Sequence, residues 1–316
     1  MAEQVLIYSR FPKAQLVRIG EHYDLLDAMG KPPIETFSAD ELKGVRALIT
    51  AGGQGLSPAV LDSLPSLGAI ICYGTGYDGV NFDDAKKRNI VVGNSPAANA
   101  ASVADLAMTL MLAATRRLLP ADAYVRDGRW FDKQPSPLMR PQPGMTGRKV
   151  GVYGMGEIGR KIAARCAAFE TEVAYYSRSK HDVPYAYHAS LASLAEWADI
   201  LMVAVRAGTD TKHIINADIL KLLGPQGTIV NISRGSVIDE KALVLALENN
   251  LIAGAGLDVY ETEPHAPDAL TKFPTVVLTP HVGGHTIESH VAMQTCVLAN
   301  LDAFFAGKAL RYPVNG

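Results

Sequence analysis

The chain has 316 residues, enough for two domains at the usual size of about 100–200 residues each. Apolar residues make up 48 % and charged residues 20 %, which argues against a disordered chain, and the net charge of −2 argues against nucleic-acid or membrane-surface binding driven by bulk charge. Cys72, Cys166 and Cys296 are too widely spaced for a zinc or CxxC motif, so no metal is expected and the thiols read as reduced, as in a cytosolic protein.

Met1-Ala2-Glu3-Gln4 runs into the apolar Val5–Tyr8 without the basic start or the long apolar stretch of a secretory signal. Val5–Tyr8, Ala47–Thr50, Ala69–Tyr73 and Asn89–Val92 read as strands, with helices at Pro58–Leu64 and Asp83–Arg88 between them. The strand runs are continuously apolar, as in parallel strands covered on both faces. A long helix is expected over Ala100–Leu118, with Ser102 and Asp105 as its cap. Its most apolar stretch, Leu106–Ala114, is too short to span a bilayer. Asp127–Gly147 is rich in proline, glycine and polar residues around Trp130 and Phe131, and reads as an arm over a partner subunit or over the site.

From Lys149 the alternation restarts. Strands are expected at Lys149–Tyr153, Glu172–Tyr176, Asp199–Val203, Thr228–Ile232, Gly254–Val259 and Thr275–Leu278. Helices lie between them at Ile158–Phe169, Leu191–Trp197, Asp218–Leu223 and Glu240–Glu248. A last helix, Ile287–Phe305, stops at Gly307 and can cross back to complete the first domain. The pattern predicts an α/β protein of two doubly wound parallel sheets, both Rossmann-like, with a cleft between them.

The fingerprint G-x-G-x-x-G occurs twice, at Gly74, Gly76 and Gly79 and at Gly154, Gly156 and Gly159. The second follows the strand RKVGVY and opens the helical pattern EIGRKIAARCAAF, the context a dinucleotide loop needs. Gly154, Met155, Gly156, Glu157, Ile158 and Gly159 are therefore candidate pyrophosphate contacts. The first loop lacks an acidic residue about twenty positions on and reads instead as a backbone nest for a small anion such as a substrate carboxylate, through Thr75 and Gly76. The strand that should end in a ribose-binding carboxylate ends in Ser177-Arg178-Ser179-Lys180. Arg178 can fork onto a 2′-phosphate, with Ser177 and Ser179 donating to it, so NADPH is expected rather than NADH.

Three further segments stand just past strand ends: Asn231-Ile232-Ser233-Arg234-Gly235, Gly256–Pro264 and Thr279–Gly284. With GTGYDGVN, SVADLAMTLMLA, GVYGMGEIG, NISRGSVIDEKAL, GAGLDVYETEP and TPHVGG, the sequence resembles the D-isomer-specific 2-hydroxyacid dehydrogenase family over nearly its whole length. Within that family it is most similar to glyoxylate/hydroxypyruvate and hydroxyphenylpyruvate reductases.

The resemblance implies a catalytic trio. Arg234 would bind the substrate carboxylate and polarise the keto oxygen, His281 would protonate that oxygen, and Glu263 would hold His281 protonated. Thr75 and Gly76 would bind the carboxylate, with Gly53 in the facing wall Ala51–Gly55. Asp258 would hold the nicotinamide carboxamide, and Val205, Arg206, Thr211, Ile232 and Gly283 would complete the cofactor contacts. Residues 1–98 with 286–316 would form a flavodoxin-like substrate domain and 99–285 an NADP-binding Rossmann domain. A cytoplasmic homodimer acting on a small 2-keto acid is the expectation. A non-enzymatic, nucleotide-sensing corepressor-like protein and a short phosphoglycerate dehydrogenase are the alternatives. Two departures stand out. Gly208-Thr209 replaces a usual Thr-Pro, which predicts a looser loop. His285 replaces a usual small residue, and it could touch substrate, cofactor or neither. Glu261 reads as a solvated loop residue.

Overall fold

The computed structural model describes residues 3–314. The chain divides into two compact units: one runs to Asn99 and resumes at His285, and the other is Ala100–Gly284. The first holds a five-stranded sheet of β1 (Gln4–Ile7), β2 (Asp24–Asp27), β3 (Ala47–Thr50), β4 (Ala69–Cys72) and β5 (Val91–Gly93), in the order β2-β1-β3-β4-β5. All its pairs are parallel. This is one of the common doubly wound orders. Val5, Ile7, Ala47, Ile49, Ala69 and Ile71 enter one core layer, and Leu6, Leu48 and Ile70 enter the opposite one. Both faces are covered, which is why these strands read as unbroken apolar runs.

The second unit holds seven strands: β6 (Lys149–Tyr153), β7 (Glu172–Tyr176), β8 (Ala186–Tyr187), β9 (Ile200–Val203), β10 (Thr228–Asn231), β11 (Gly254–Leu257) and β12 (Val276–Leu278). Their order is β12-β11-β10-β9-β6-β7-β8, again all parallel. Strand order reverses between β6 and β9, the crevice where an open α/β sheet binds its ligand. Val150, Val152, Ile200 and Met202 pack toward the helices Ala100–Thr115 and Glu157–Ala168. Leu201, Val203, Ile229 and Leu257 pack toward the opposite layer, which includes Leu194, Leu220 and Leu243.

Several expectations need correction. The strands β2 and β8 were not anticipated; both lie at sheet edges, and β2 is bounded by Asp24 and Asp27 with no residue fully buried. An edge strand has one neighbour and half the burial, so its apolar signal is weak. The long helix ends at Thr115 rather than Leu118, because Arg117 takes a left-handed conformation (φ 52°) and starts a separate helix, Leu118–Arg126. Ser102 does not cap the long helix. It lies inside it, and its hydroxyl donates to the Gly283 carbonyl at 2.5 Å. Asp105 instead pairs with Arg165 at 2.7 Å. Within Asp127–Gly147 only Pro137–Met139 forms a helical turn, and Trp130 and Phe131 are exposed.

The last helix, Ile287–Phe305, is held in the first unit by Asn300. This fully buried amide donates to Asn94 O at 3.1 Å and accepts from Tyr312 N at 2.8 Å. Asn300→Leu strands the buried Asn94 carbonyl and the half-buried Tyr312 amide. It should cost about 2–4 kcal/mol of folding free energy, read as a lower urea midpoint at unchanged slope.

Candidate active site

The loop after β6 shows why its three glycines differ. Gly154 sits at φ 101°, and a Cβ there would lie 2.7 Å from the backbone of Ala204 and Val205. A Cβ at Gly159 would lie 1.9 Å from Gly154 O. At Gly156 a Cβ would meet nothing within 4 Å. The outer two glycines are required by packing, and the middle one leaves open space in front of a helix N-terminus. That helix, Glu157–Ala168, has Gly156 as its N-cap and no side-chain cap, so its first amides stay available to an anion. These residues fit a dinucleotide pyrophosphate. Met155 is 1 % exposed and Ile232 is 7 % exposed, so their side chains serve the core and only their backbone can face a ligand.

At the end of β7, Ser177 is buried and its hydroxyl donates to Ser179 O at 2.7 Å, bracing the turn. Arg178 and Ser179 are exposed on that turn. Burial, with the neighbouring Tyr176, pushes the Tyr153 hydroxyl up to about 12 against an opposing pull from the Arg178 charge. The 205–211 loop is braced rather than loose: Thr211 Oγ1 accepts from Gly208 N at 2.8 Å and reaches Arg206 O at 3.2 Å. Burial depresses the pKa of Arg206 in that loop.

The trio stands at the ends of β10, β11 and β12. Past β10, Asn231 Oδ1 accepts from the amide and hydroxyl of Ser233 (3.0 and 2.8 Å), while its Nδ2 donates to Arg234 O at 3.0 Å. This Asx turn fixes where Arg234 leaves the strand. Past β11, Glu263 Oε1 accepts from Tyr260 N at 3.2 Å. Its Oε2 accepts from His281 Nδ1 at 2.7 Å. Burial acts to raise the Glu263 carboxyl. The hydrogen bond and charge of His281, the Tyr260 amide and the Arg234 charge outweigh it, leaving the carboxyl below its ordinary value. Arg234, Glu263 and His281 thus form one electrostatic group.

Asp258 has a role that its motif did not disclose. It is 2 % exposed and accepts three hydrogen bonds, from Thr279 Oγ1 (2.6 Å), Val282 N (2.9 Å) and Gly283 N (2.9 Å). It therefore ties down the turn that carries His281, whose backbone is left-handed at φ 53°. Ser102 holds the same turn through Gly283 O. Glu261 is not merely solvated. It pairs with His213 Nε2 at 2.8 Å and accepts from Glu240 N at 3.2 Å, while its own amide donates to Glu240 Oε1 at 2.8 Å. His213 and Glu240 carried no motif signal.

In the other unit, the 52–56 and 74–79 loops interlock. Gly79 N donates to Gly52 O at 2.8 Å and Leu56 N to Gly79 O at 3.2 Å. Gly52 lies at φ 82°, and a Cβ there would lie 2.0 Å from Gly76 O. Gly53 is exposed beside this junction. Thr75 Oγ1 donates to Asn99 Oδ1 at 2.9 Å, and Asn94 Nδ2 donates to Thr75 O at 2.8 Å. The amides of Thr75 and Gly76 donate to no protein acceptor among the described residues. Two fixed, unsatisfied amides suit a carboxylate.

Comparison with known proteins agrees with this layout. Residues 108–283 match the family model for the D-isomer specific 2-hydroxyacid dehydrogenase NAD binding domain. The chain is 37 % identical over 297 residues to the hydroxyphenylpyruvate reductase of Plectranthus scutellarioides, covering 94 % of each. It is 40 % identical over 271 residues to the 2-ketogluconate reductase of Gluconobacter oxydans, covering 85 % of this chain and 86 % of that one. Among solved structures, the NADPH-dependent glyoxylate/hydroxypyruvate reductase of Sinorhizobium meliloti, in complex with NADP and malonate, superposes with a TM-score of 0.91 at 37 % identity, covering 99 % of this chain and 97 % of that one.

The lowered Glu263 carboxyl makes a signed prediction. A carboxyl that titrates lower in the folded than in the unfolded chain stabilises the fold above its unfolded value of about 4.3 and loses that contribution as pH falls through the folded value. Glu263→Gln should lower the urea midpoint near neutral pH, and the gap from the parent protein should close in acid.

Proposed function

The chain belongs to the D-isomer-specific 2-hydroxyacid dehydrogenase family, and on that premise we propose that it uses NADPH to reduce small 2-keto acids, glyoxylate and hydroxypyruvate among them, to D-2-hydroxy acids. The observation that carries this reading is the His281–Glu263 hydrogen bond at 2.7 Å, in the electrostatic reach of Arg234 and on the same sheet edge as the glycine loop.

When bound, the cofactor would supply a hydride to the keto carbon. The helix beginning at Glu157 and the open side of Gly156 would hold its pyrophosphate, and Arg178 with Ser179 would take the 2′-phosphate. Asp258 uses three of about four lone-pair sites on the turn that carries His281, which leaves one for the carboxamide. Arg234 pairs with the substrate carboxylate and polarises the keto oxygen. Because Glu263 occupies Nδ1 of His281, Nε2 is the nitrogen that meets that oxygen and delivers the proton. Glu263 fixes the orientation of the ring, and Arg234 stabilises the oxyanion as it forms. The unpartnered amides of Thr75 and Gly76 hold the substrate carboxylate. Exposed Leu118, Leu119, Val125, Trp130 and Phe131 support a homodimer built on the 118–147 region, and three unpaired cysteines support a cytoplasmic setting.

Two substitutions test the assignment. His281→Asn should retain NADPH affinity while turnover falls by about 10²–10⁴, the usual contribution of a positioned general acid; near-normal turnover would reject the role. Arg178→Ala should cost NADPH about 1–3 kcal/mol of binding and leave NADH unaffected, as read by cofactor fluorescence titration. Equal losses for both cofactors would show that Arg178 does not read the 2′-phosphate.

A further inference from the structure

The basic turn Ser177–Lys180 lies outside any helix or strand, and Arg178, Ser179 and Lys180 are exposed on it. None of the amides of residues 177–182 donates to a backbone carbonyl among the described residues. Such a segment has no backbone ladder to set its shape. Its two ends are nevertheless fixed.

At the first end, Gly154 N donates to Tyr176 O at 2.8 Å, which joins the last residue of β7 to the glycine loop. At the second end, His181 is held at three points. Its amide donates to the Tyr175 hydroxyl at 2.8 Å, and that hydroxyl donates to the His181 carbonyl at 3.0 Å. Nη2 of Arg160 lies 3.1 Å from Nδ1 of the His181 ring. A guanidinium only donates, so Nδ1 accepts. Arg160 belongs to the helix Glu157–Ala168, which starts at the phosphate cradle.

Tyr175 is fully buried, in the core layer that holds Val150, Val152 and Ile162. Packing fixes its ring, and His181 satisfies its hydroxyl both as donor and as acceptor. Phenylalanine would fill the same space, so the hydroxyl serves the turn rather than the core. Within the segment thus closed, Ser177 Oγ donates to Ser179 O at 2.7 Å. The Tyr187 hydroxyl reaches Ser177 O at 3.4 Å.

The cradle and the turn are therefore tied twice, through Gly154 and through Arg160. A pyrophosphate and a 2′-phosphate sit on one nucleotide, so both seats must be in register at once. A turn that the ligand had to order would lose about tenfold in affinity for each backbone residue fixed.

We propose that, on the NADPH reading above, Tyr175 and Arg160 are positioning residues that act through His181. They hold the Ser177–Lys180 turn in register with the glycine loop, so that Arg178 and Ser179 meet the 2′-phosphate already in place. Neither side chain contacts the phosphate itself.

Adenosine 2′,5′-bisphosphate and adenosine 5′-monophosphate differ only in the 2′-phosphate, and calorimetry with the two isolates its contribution from that of the nicotinamide. The parent protein should prefer the bisphosphate by about 10–100-fold. Tyr175→Phe and Arg160→Ala should each cut that preference about tenfold and leave monophosphate affinity within about twofold. His181→Ala should match Arg160→Ala, and the double variant should lose no more than either alone. A preference unchanged in the variants overturns the positioning role and leaves the NADPH reading intact. Equal losses for both nucleotides, or losses that add in the double variant, overturn it too, since the first marks a general structural effect and the second a direct contact of Arg160 with the phosphate. Where circular dichroism shows that Tyr175→Phe does not fold, Arg160→Ala, at a half-buried helix position, decides. A parent protein with no preference for the bisphosphate overturns both readings.

Discussion

A carboxylate oxygen 2.7 Å from Nδ1 of His281 decides which imidazole nitrogen is free, and the rest of the site is arranged around that choice. A bare histidine has two chemically similar nitrogens and rotates about two bonds. With Glu263 on one side, only Nε2 can meet a substrate. The pair is itself supported. Tyr260 N fixes the second oxygen of Glu263, and Asp258 with Ser102 fixes the turn that carries His281. The left-handed backbone at His281 is held by these neighbours rather than by its own preference.

Parallel sheets make such an assembly possible. Every strand of β6–β12 runs the same way, so the loops after β6, β10, β11 and β12 all emerge on one edge. The phosphate cradle, the guanidinium, the carboxylate and the imidazole come from segments far apart in the chain, yet each needs only a short loop to reach that edge. Burial on both faces carries no penalty for the strands, because their backbone groups are paired in the ladder and their side chains are apolar. In the other unit the same logic places the Thr75–Gly76 amides just past the end of β4.

The two glycine fingerprints show how far a motif can be read. Both have the same spacing. Only Gly154 has a positive φ, and only the second loop opens a long uncapped helix. After the first loop, the next helix starts at Phe82 and is capped by Asn81 Oδ1, which accepts from Asp84 N at 3.0 Å. Gly79 there serves the junction with the 52–56 loop instead, where a Cβ would lie 2.5 Å from Gln54 O. One spacing thus produces a phosphate cradle or a packed nest, according to whether a long helix begins just after its second glycine.

The sequence alone determined the features that depend on neighbours in the chain. These are the apolar runs that became the buried strands, the dinucleotide loop between strand and helix, the basic turn Ser177–Lys180, and the bounds Ile287–Phe305 of the last helix. Each rests on backbone geometry or periodicity within a dozen or so residues. Tertiary structure decided whatever required a partner from far along the chain. Ser102 looked like a cap until its hydroxyl met Gly283 O, and Glu261 looked solvated until it met His213 and Glu240. The motif of Asp258 did not show that it also holds the His281 turn through three donors. The edge strands β2 and β8 escaped notice because half-buried strands carry half the apolar signal. A side chain's hydrogen-bonding capacity is written in its residue type, but which groups satisfy it is fixed only when the sheets bring distant loops to one edge.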